Sequence, residues 1–469
     1  MCQLIVFSLY NGTGGLFRRC QPFSSERFYG FTSRGGVLFP RMLYYLLRLR
    51  RNLHLRPSKL RDLQLKKFKA LVKHAYDNVA FYHRKFRDAG FRPSDFNGFD
   101  CLRKIPTVTK FELQACSPRD LVARNFNLSS LVKRTTSGST GVPLTVYVDR
   151  RVEDFYSAVW LRSVLECGLR VGDKMAVITD PRTFPKGKSF LQRLGVAERR
   201  YISIFESAER QRALLQEFRP DAVKGYASSL YILAEKYGED LRHIGARLVF
   251  SGAEILNKAE RRVVSSAFGA DLFDFYACTE LGWLAWECKA HEGYHINADS
   301  VLLEFLDEDG EAVTPGEKGR VVGTSLINDV MPLLRYELED VAVQTDDVCS
   351  CGVTLPLIKS VEGRADDILV TADGRRISPT VFFPYPFEDV DWIRQFRVIQ
   401  ESRKRLVIQV EAKKAVNNKS EIMEAAERKI RSLFGEEVEV AFEFVDKIPL
   451  DKSGKLRKVI SYMGKRGRS

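Results

Sequence analysis

The chain has 469 residues, 45% of them hydrophobic, with nine cysteines and a formal net charge of +14. That length can bury a large core and suggests about two to four domains, while the scattered cysteines, apart from Cys349 and Cys351, fit a reducing compartment and exclude a disulfide framework. The apolar run Leu4 to Tyr10 is too short to span a bilayer, and Arg18 and Arg19 follow it where a secretory signal would place them ahead, so a soluble, cytoplasmic protein is expected.

Residues 1–35 show no hydrophobic period and read as a poorly ordered extension. Between Arg41 and Lys69 ten lysines and arginines stand against one acidic residue, Asp62, interleaved with Met42, Leu43, Tyr44, Tyr45, Leu46 and Leu47. A basic amphipathic helix there suits peripheral contact with an anionic membrane surface. The favoured alternative is that its apolar side packs on the protein body and its arginines stay solvated. No nucleic-acid motif accompanies the charge, so no nucleic-acid partner is expected. Leu60, Leu63, Phe68, Leu71, Val72 and Ala75 then recur at near-helical spacing, with Ser58 as the expected N-cap.

Residues 135–143 read Thr-Thr-Ser-Gly-Ser-Thr-Gly-Val-Pro. Backbone N–H groups freed by Gly138 and Gly141 can converge on an anion, and the hydroxyls of Thr135, Thr136, Ser137, Ser139 and Thr140 add donors, so the loop suits phosphate. No Gly-Lys-Ser/Thr follows, which excludes a Walker A loop; the plain alternative is a Ser/Gly surface loop. Beyond it, short apolar runs at Met175 to Ile178, Ala222 to Val223, Leu248 to Phe250 and Leu272 to Phe275 alternate with helical stretches at Glu153 to Glu166, Ala208 to Phe218, Ser228 to Tyr237 and Lys258 to Phe268. That alternation predicts parallel strands with covering helices, an α/β fold. Val301 to Val343 turns strand-rich with Gly/Pro/Asp turns. After Asp366, a helix at Pro379 to Phe387, strands at Phe396 to Ile399 and Leu406 to Val410, a helix at Ser420 to Leu433 and a strand at Val438 to Phe442 predict a small α+β lid. Cys288, His295, Cys349 and Cys351 are an adequate tetrahedral set for structural Zn²⁺, although Cys349 and Cys351 are closely spaced, His291 competes with His295, and buried free cysteines are the alternative.

Further motifs follow the loop in order: Phe275-Tyr276-Ala277-Cys278-Thr279-Glu280, Arg335-Tyr336-Glu337-Leu338-Glu339-Asp340, Gly363-Arg364-Ala365-Asp366-Asp367, and Asp451-Lys452-Ser453-Gly454-Lys455-Leu456-Arg457. Together with the loop they resemble the adenylate-forming superfamily of acyl-CoA synthetases and adenylation domains, from about residue 60 onward. Leu71 to Tyr82, Lys224-Gly225-Tyr226-Ala227-Ser228 and Gly293 to Asp299 are similar to the phenylacetate-CoA ligase family, in its capsule-biosynthesis-like branch. The resemblance implies a large N-terminal adenylate-forming domain at 36–365, with a small β subdomain at about 294–362, and a C-terminal lid at 366–469.

It also implies roles. The loop, including Thr136, Ser137, Gly138, Ser139, Thr140 and Gly141, would hold the β- and γ-phosphates of ATP; Thr279 would contact phosphate; Glu280 would help hold Mg²⁺, a hard ion suited to carboxylate oxygen. Asp340 would accept the ribose hydroxyls and Arg364 would face ribose and phosphate. Gly252, Ala253 and Glu254 would lie beside the adenine, with Tyr276 stacking on the base. Asp366 would be the lid hinge, and Lys455 the catalytic lysine that bridges the substrate carboxylate and the α-phosphate. Relatives carry similar residues in the region of the proposed Zn²⁺ set. This chain departs from the pattern at Ala277 and Cys278, which replace a glycine-containing stretch, and at Glu339, where many relatives have glycine. The activity implied is ATP-dependent activation of an aryl or related organic acid through an acyl-adenylate, with coenzyme A as first acceptor. The alternatives are an adenylyltransferase, acyl transfer to a carrier protein or amine in polysaccharide or secondary-metabolite assembly, and a non-catalytic nucleotide-binding scaffold.

Overall fold

A computed structural model describes residues 38–136, 144–185, 187, 198–364, 369–377, 385–387, 390, 392–412, 419–449 and 456–463. The N-terminal extension expected at 1–35 lies outside them. The first helix, α1 (Leu38–Asn52), turns its apolar side inward: Leu46 and Leu49 pack against Phe155, Ala158 and Val159 of α4 (Arg150–Glu166), and Arg41 Nε donates to Asp154 at 2.6 Å. The basic segment is therefore a helix docked on the body, with Tyr44 and Leu47 left exposed. Between them, α2 (Pro57–Asn78) and α3 (Ala80–Asp88) bury Phe68, Ala75, Tyr82 and Phe86. Ser58 does not cap α2: the cap position is Arg56 and Pro57 opens the first turn, where a fixed φ and a missing N–H cost nothing.

Strands β1 (Val132–Thr135) and β2 (Thr145–Val148) form an antiparallel hairpin. Next come β3 (Met175–Thr179), β4 (Arg199–Ser203), β5 (Ala222–Tyr226), β6 (Leu248–Gly252) and β7 (Asp271–Cys278), parallel to one another. Helices α5 (Ala208–Phe218), α6 (Ala227–Tyr237) and α7 (Lys258–Phe268) connect them, as the alternation of short apolar runs and amphipathic stretches predicts. The antiparallel strands β8 (Gly282–Glu287), β9 (Tyr294–Ile296), β10 (Val301–Leu306), β11 (Lys318–Ser325), β12 (Tyr336–Thr345) and β13 (Leu357–Arg364) continue the same sheet. It has eleven strands in the order β10-β11-β12-β13-β9-β8-β7-β6-β5-β3-β4.

After the two-stranded ribbon of β14 (Leu369–Val370) and β15 (Arg376–Ile377), a four-stranded sheet of β16 (Ile393–Ser402), β17 (Arg405–Ala412), β18 (Glu439–Val445) and β19 (Val459–Ser461) packs with α8 (Lys419–Phe434) around its own core of Phe396, Ile408, Ile430 and Phe434. The helix expected at Pro379 to Phe387 falls mostly outside the described residues; its end, Tyr385–Phe387, is a single 3-10 turn.

Three of the sequence motifs are buttresses. His74 bonds the Asp329 carbonyl at 2.8 Å, and the Leu334 N–H donates to the Tyr82 hydroxyl at 2.9 Å, so α2 and α3 brace the segment leading into β12. Arg335 is buried, its Nε sharing both oxygens of Glu304 at 3.1 Å and its Nη1 donating to the Ile105 carbonyl at 2.5 Å. Asp299 and Asn297 hold the fully buried Arg162 at 2.7 and 2.6 Å, and Asn52 of α1 also donates to Asp299. A buried charge is tolerated only when paired and hydrogen-bonded, and these sets meet that condition.

Candidate active site

In open α/β sheets the carboxyl ends of the parallel strands form the ligand crevice, and the motif residues collect there. Register fixes the first row: Tyr226 of β5 lies beside Gly252 of β6, which lies beside Phe275 of β7. A Cβ on Gly252 would meet the Phe275 carbonyl oxygen at 3.2 Å, so the close approach of β6 to β7 needs a glycine. Ala253 follows with φ +68°, a left-handed conformation that turns the chain sharply into Glu254.

The β7–β8 turn carries Thr279 and Glu280, both half-buried. Gly282 closes it with φ +81°, and a Cβ there would strike the Tyr156 ring at 2.8 Å. Two tyrosine–carboxylate pairs then tie this turn to β12. The Tyr276 hydroxyl donates to Asp340 Oδ2 at 2.7 Å, and the Tyr336 hydroxyl donates to Glu280 Oε1 at 3.1 Å. Burial, then the Glu280 charge, raises the Tyr336 pKa, so the phenol remains a donor. Asp340 pairs across the ladder with Arg364 at the end of β13. Glu339, which replaces the glycine of many relatives, has φ +62°, so glycine suits its backbone conformation.

Tyr276, Glu280, Asp340 and the Arg364 backbone are thus brought to one rim of the sheet. Ser137, Gly138, Ser139, Thr140, Gly141, Asp366 and Lys455 lie outside the described residues, as does the Arg364 side chain. The ends adjoining two of these segments are described. Thr136 closes the loop's base: its N–H donates to the Leu144 carbonyl and its Oγ1 accepts from the Leu144 N–H, both at 2.9 Å. Leu456, next to Lys455, donates its N–H to Glu254 Oε1 at 2.7 Å, while the other Glu254 oxygen accepts from the Ser228 N–H at 2.7 Å. Lys458 contacts Glu260 at the start of α7. The described segment that begins at Leu456 therefore sits against the turn that follows β6.

A model of the "CapK C-terminal domain" matches residues 369–462. The chain is 31% identical to the phenylacetate-coenzyme A ligase of Thermus thermophilus over 334 residues, 69% of this chain and 74% of that one. The chain belongs to the phenylacetate-CoA ligase family. It is an adenylate-forming ligase. It is also 21% identical to protein CapK of Staphylococcus aureus over 85% of this chain and 89% of that protein. Its fold matches a 2-hydroxyisobutyryl-CoA ligase crystallised in the postadenylation state with 2-HIB-AMP, with a TM-score of 0.74 at 21% identity, covering 89% of this chain and 92% of that one.

This member of the phenylacetate-CoA ligase family carries a second cluster. Cys288, His295, Cys349 and Cys351 place their ligand atoms within 4.8 Å of one another, with Cys288 Sγ 3.5 Å from Cys349 Sγ and Cys351 Sγ 3.3 Å from His295 Nε2. Burial lowers the His295 pKa to about 4, which keeps the imidazole neutral, the form that binds a metal. His291 is not in this group: it stacks on Phe273 and lies 3.6 Å from Glu287.

Sequence reasoning did not single out Tyr336 as the partner of Glu280, Glu254 as the seat of Leu456, or Lys224. The first two arise from pairings of residues 56 and 202 positions apart, which no local pattern marks. Lys224 stands inside a quoted motif, Lys224-Gly225-Tyr226, where a lysine in an otherwise apolar strand was the available signal.

Proposed function

We propose that this ligase activates an aryl or related organic acid and passes the acyl group to coenzyme A. The observation that carries the reading is the pair of tyrosine–carboxylate contacts, Tyr276–Asp340 and Tyr336–Glu280, which aim two carboxylates, one from β12 and one from the β7–β8 turn, at one rim beside Arg364. Asp340 accepts the ribose hydroxyls, Thr279 contacts phosphate, and Gly252 to Glu254 with Tyr276 border the adenine. Mg²⁺ held with the help of Glu280 would neutralise phosphate charge, which suits a hard carboxylate ligand.

In the first half-reaction a carboxylate oxygen of the acid attacks the α-phosphorus of ATP, an O–P bond forms, and the bond to the β-phosphate oxygen breaks as pyrophosphate leaves. Two anions meet, so Lys455 contributes by offsetting their charge in the transition state. The seat of Leu456 on Glu254 supports that assignment, since Lys455 is its chain neighbour. In the second half-reaction the thiol of coenzyme A, having given up its proton, attacks the acyl carbon and AMP leaves. The lid, which we set at 366–469 with Asp366 as hinge, rotates away from the 36–365 body between the two steps. The name of the Thermus relative favours coenzyme A as acceptor. A carrier-protein thiol or an amine as acceptor is the second reading.

The Cys288, His295, Cys349 and Cys351 set fits structural Zn²⁺, because three thiolates and a neutral imidazole complete a closed tetrahedral site. Purified protein is expected to release pyrophosphate from ATP with at least one member of an aryl-acid panel, and to yield a coenzyme A thioester by mass spectrometry. Acid-dependent pyrophosphate without thioester, with the activated acyl group trapped by hydroxylamine, supports the second acceptor reading. Measurable ATP binding with no pyrophosphate from any acid supports the scaffold.

A further inference from the structure

Lys224 of β5 points into the core of the parallel sheet, and no anion among the described residues pairs with it. Its register partner on β6 is Phe250, whose own partner on β7 is Phe273, and the next row on the same face is Tyr226, Gly252 and Phe275. Trp160 of α4 covers this face: its ring lies 6.0 Å from Phe250 and 5.0 Å from Phe275, and it stacks on Trp283 at 4.6 Å. The Lys224 ammonium sits beside this stacked pair, 4.3 Å from the Trp160 centroid and 4.6 Å from Trp283. Phe250, Phe275 and Trp160 are buried, but Lys224, Tyr226, Gly252 and Trp283 keep partial exposure. These residues form an aromatic face at the carboxyl ends of the strands, with a partly exposed lysine one row in from its edge.

Among the described residues Lys224 makes no hydrogen bond and no ion pair. Cation–π contact offsets part of the cost of desolvating it. The remainder shows as a pKa lowered to about 7, first by burial and then by the charge of Arg199. An anion or lone-pair donor delivered to this nitrogen would therefore be held strongly, as buried charges are when paired.

We propose that Lys224 is a specificity-determining residue that reads an oxygen substituent, carboxylate or hydroxyl, at the end of an aromatic acid remote from the carboxyl being activated. The inference rests on the ligase reading above. Two residues along a strand advance roughly 7 Å, so Lys224 lies one row deeper than Gly252, about the length of one aromatic ring. An acid whose carboxyl meets Lys455, the chain neighbour of Leu456 on Glu254, would lay its ring against Trp160, Phe275 and Trp283 and present its distal substituent to Lys224.

The test compares phenylacetate with 4-hydroxyphenylacetate and 4-carboxyphenylacetate in wild type and in Lys224→Met, which keeps an unbranched aliphatic stem beside the indoles. Pyrophosphate release gives kcat/KM, and quenching of tryptophan fluorescence with ATP present gives binding independently of turnover. The expected result is a wild-type preference of at least tenfold for a distally oxygenated acid over phenylacetate, lost in Lys224→Met and expressed mainly in KM. A wild type without that preference overturns the proposal, and this ratio stands even if the variant does not fold. An equal fall for all three acids would also overturn it, assigning Lys224 to the reacting carboxyl. Absence of pyrophosphate with every acid would instead count against the ligase reading, while the binding preference in fluorescence would still decide for or against Lys224.

Discussion

Asp340 and Glu280 lie on the rim of an eleven-stranded sheet, and each is aimed by a tyrosine hydroxyl from a different strand. A hydrogen bond to a charged group contributes about 1.5–3 kcal/mol, so Tyr276→Phe is expected to raise the KM for ATP about tenfold while leaving the fold intact. An unchanged KM would remove Asp340 from the ribose. Backbone geometry makes a separate prediction at Ala253, whose φ of +68° costs roughly 1–2 kcal/mol for a side chain with a Cβ. Ala253→Gly relieves that strain against a loss of about 0.5–1 kcal/mol from added chain freedom, so its unfolding free energy should be equal or higher. Ala253→Val, β-branched at a left-handed position, should unfold more readily than wild type. Chemical denaturation of the two variants side by side checks both signs.

At the scale of elements, the C-terminal sheet meets the large sheet's helices and loops at Glu254 and at the ion pairs Lys458–Glu260 and Arg394–Glu235. Glu254 accepts the N–H of Ser228, at the start of α6, and the N–H of Leu456, just before β19. Burial raises its pKa, and its two backbone donors and Lys458 hold it back only in part. A carboxyl whose folded pKa exceeds its unfolded one contributes stability below the ordinary carboxylate range, and that contribution is lost as pH rises through the folded value. Glu254→Gln puts an amide NH₂ against one of two N–H donors. The lid should then detach more easily, with faster limited proteolysis near residue 366, and the stability profile should lose this pH-dependent component. Proteolysis at the wild-type rate would contradict the seat. Asp366→Pro, which restricts the proposed hinge, should impair acyl transfer more than adenylation.

The zinc proposal is also a matter of elements, since Cys288 follows β8, His295 lies on β9, and Cys349 and Cys351 occupy the β12–β13 connection. Binding there would pin three segments together. Cys349→Ser should lower both the metal content, expected at about one zinc per chain by elemental analysis, and the melting temperature. Protein prepared without chelator and containing no metal would exclude the site.

For the molecule as a whole, what could be read from sequence was what short-range pattern encodes. Alternating apolar runs and amphipathic stretches marked β3, β5, β6, β7 and α4 to α7, because burial on both faces demands continuous apolar strands. The order of the motifs marked the chemistry. What could not be read was which motif residues face the crevice and which hold the frame: Arg335 and Asp299 have the look of site residues but serve buried pairs with Glu304 and Arg162. Nor could the continuity of the parallel and antiparallel strands in one sheet be seen, since it depends on β9 joining β8 to β13 across 60 residues of chain. No helix among the described residues is long and apolar enough to cross a membrane, and α1 spends its apolar side on α4.

The central proposal, that Lys455 drives adenylate formation at this rim and is withdrawn for acyl transfer, is tested most directly by separating the half-reactions in Lys455→Ala. Acid-dependent pyrophosphate release should fall by several orders of magnitude, because the charge that offsets two approaching anions is lost in the transition state. A presynthesised acyl-adenylate supplied with coenzyme A should still be consumed at close to the wild-type rate. Equal slowing of both half-reactions would contradict the account and make the lysine a structural or acceptor-binding residue.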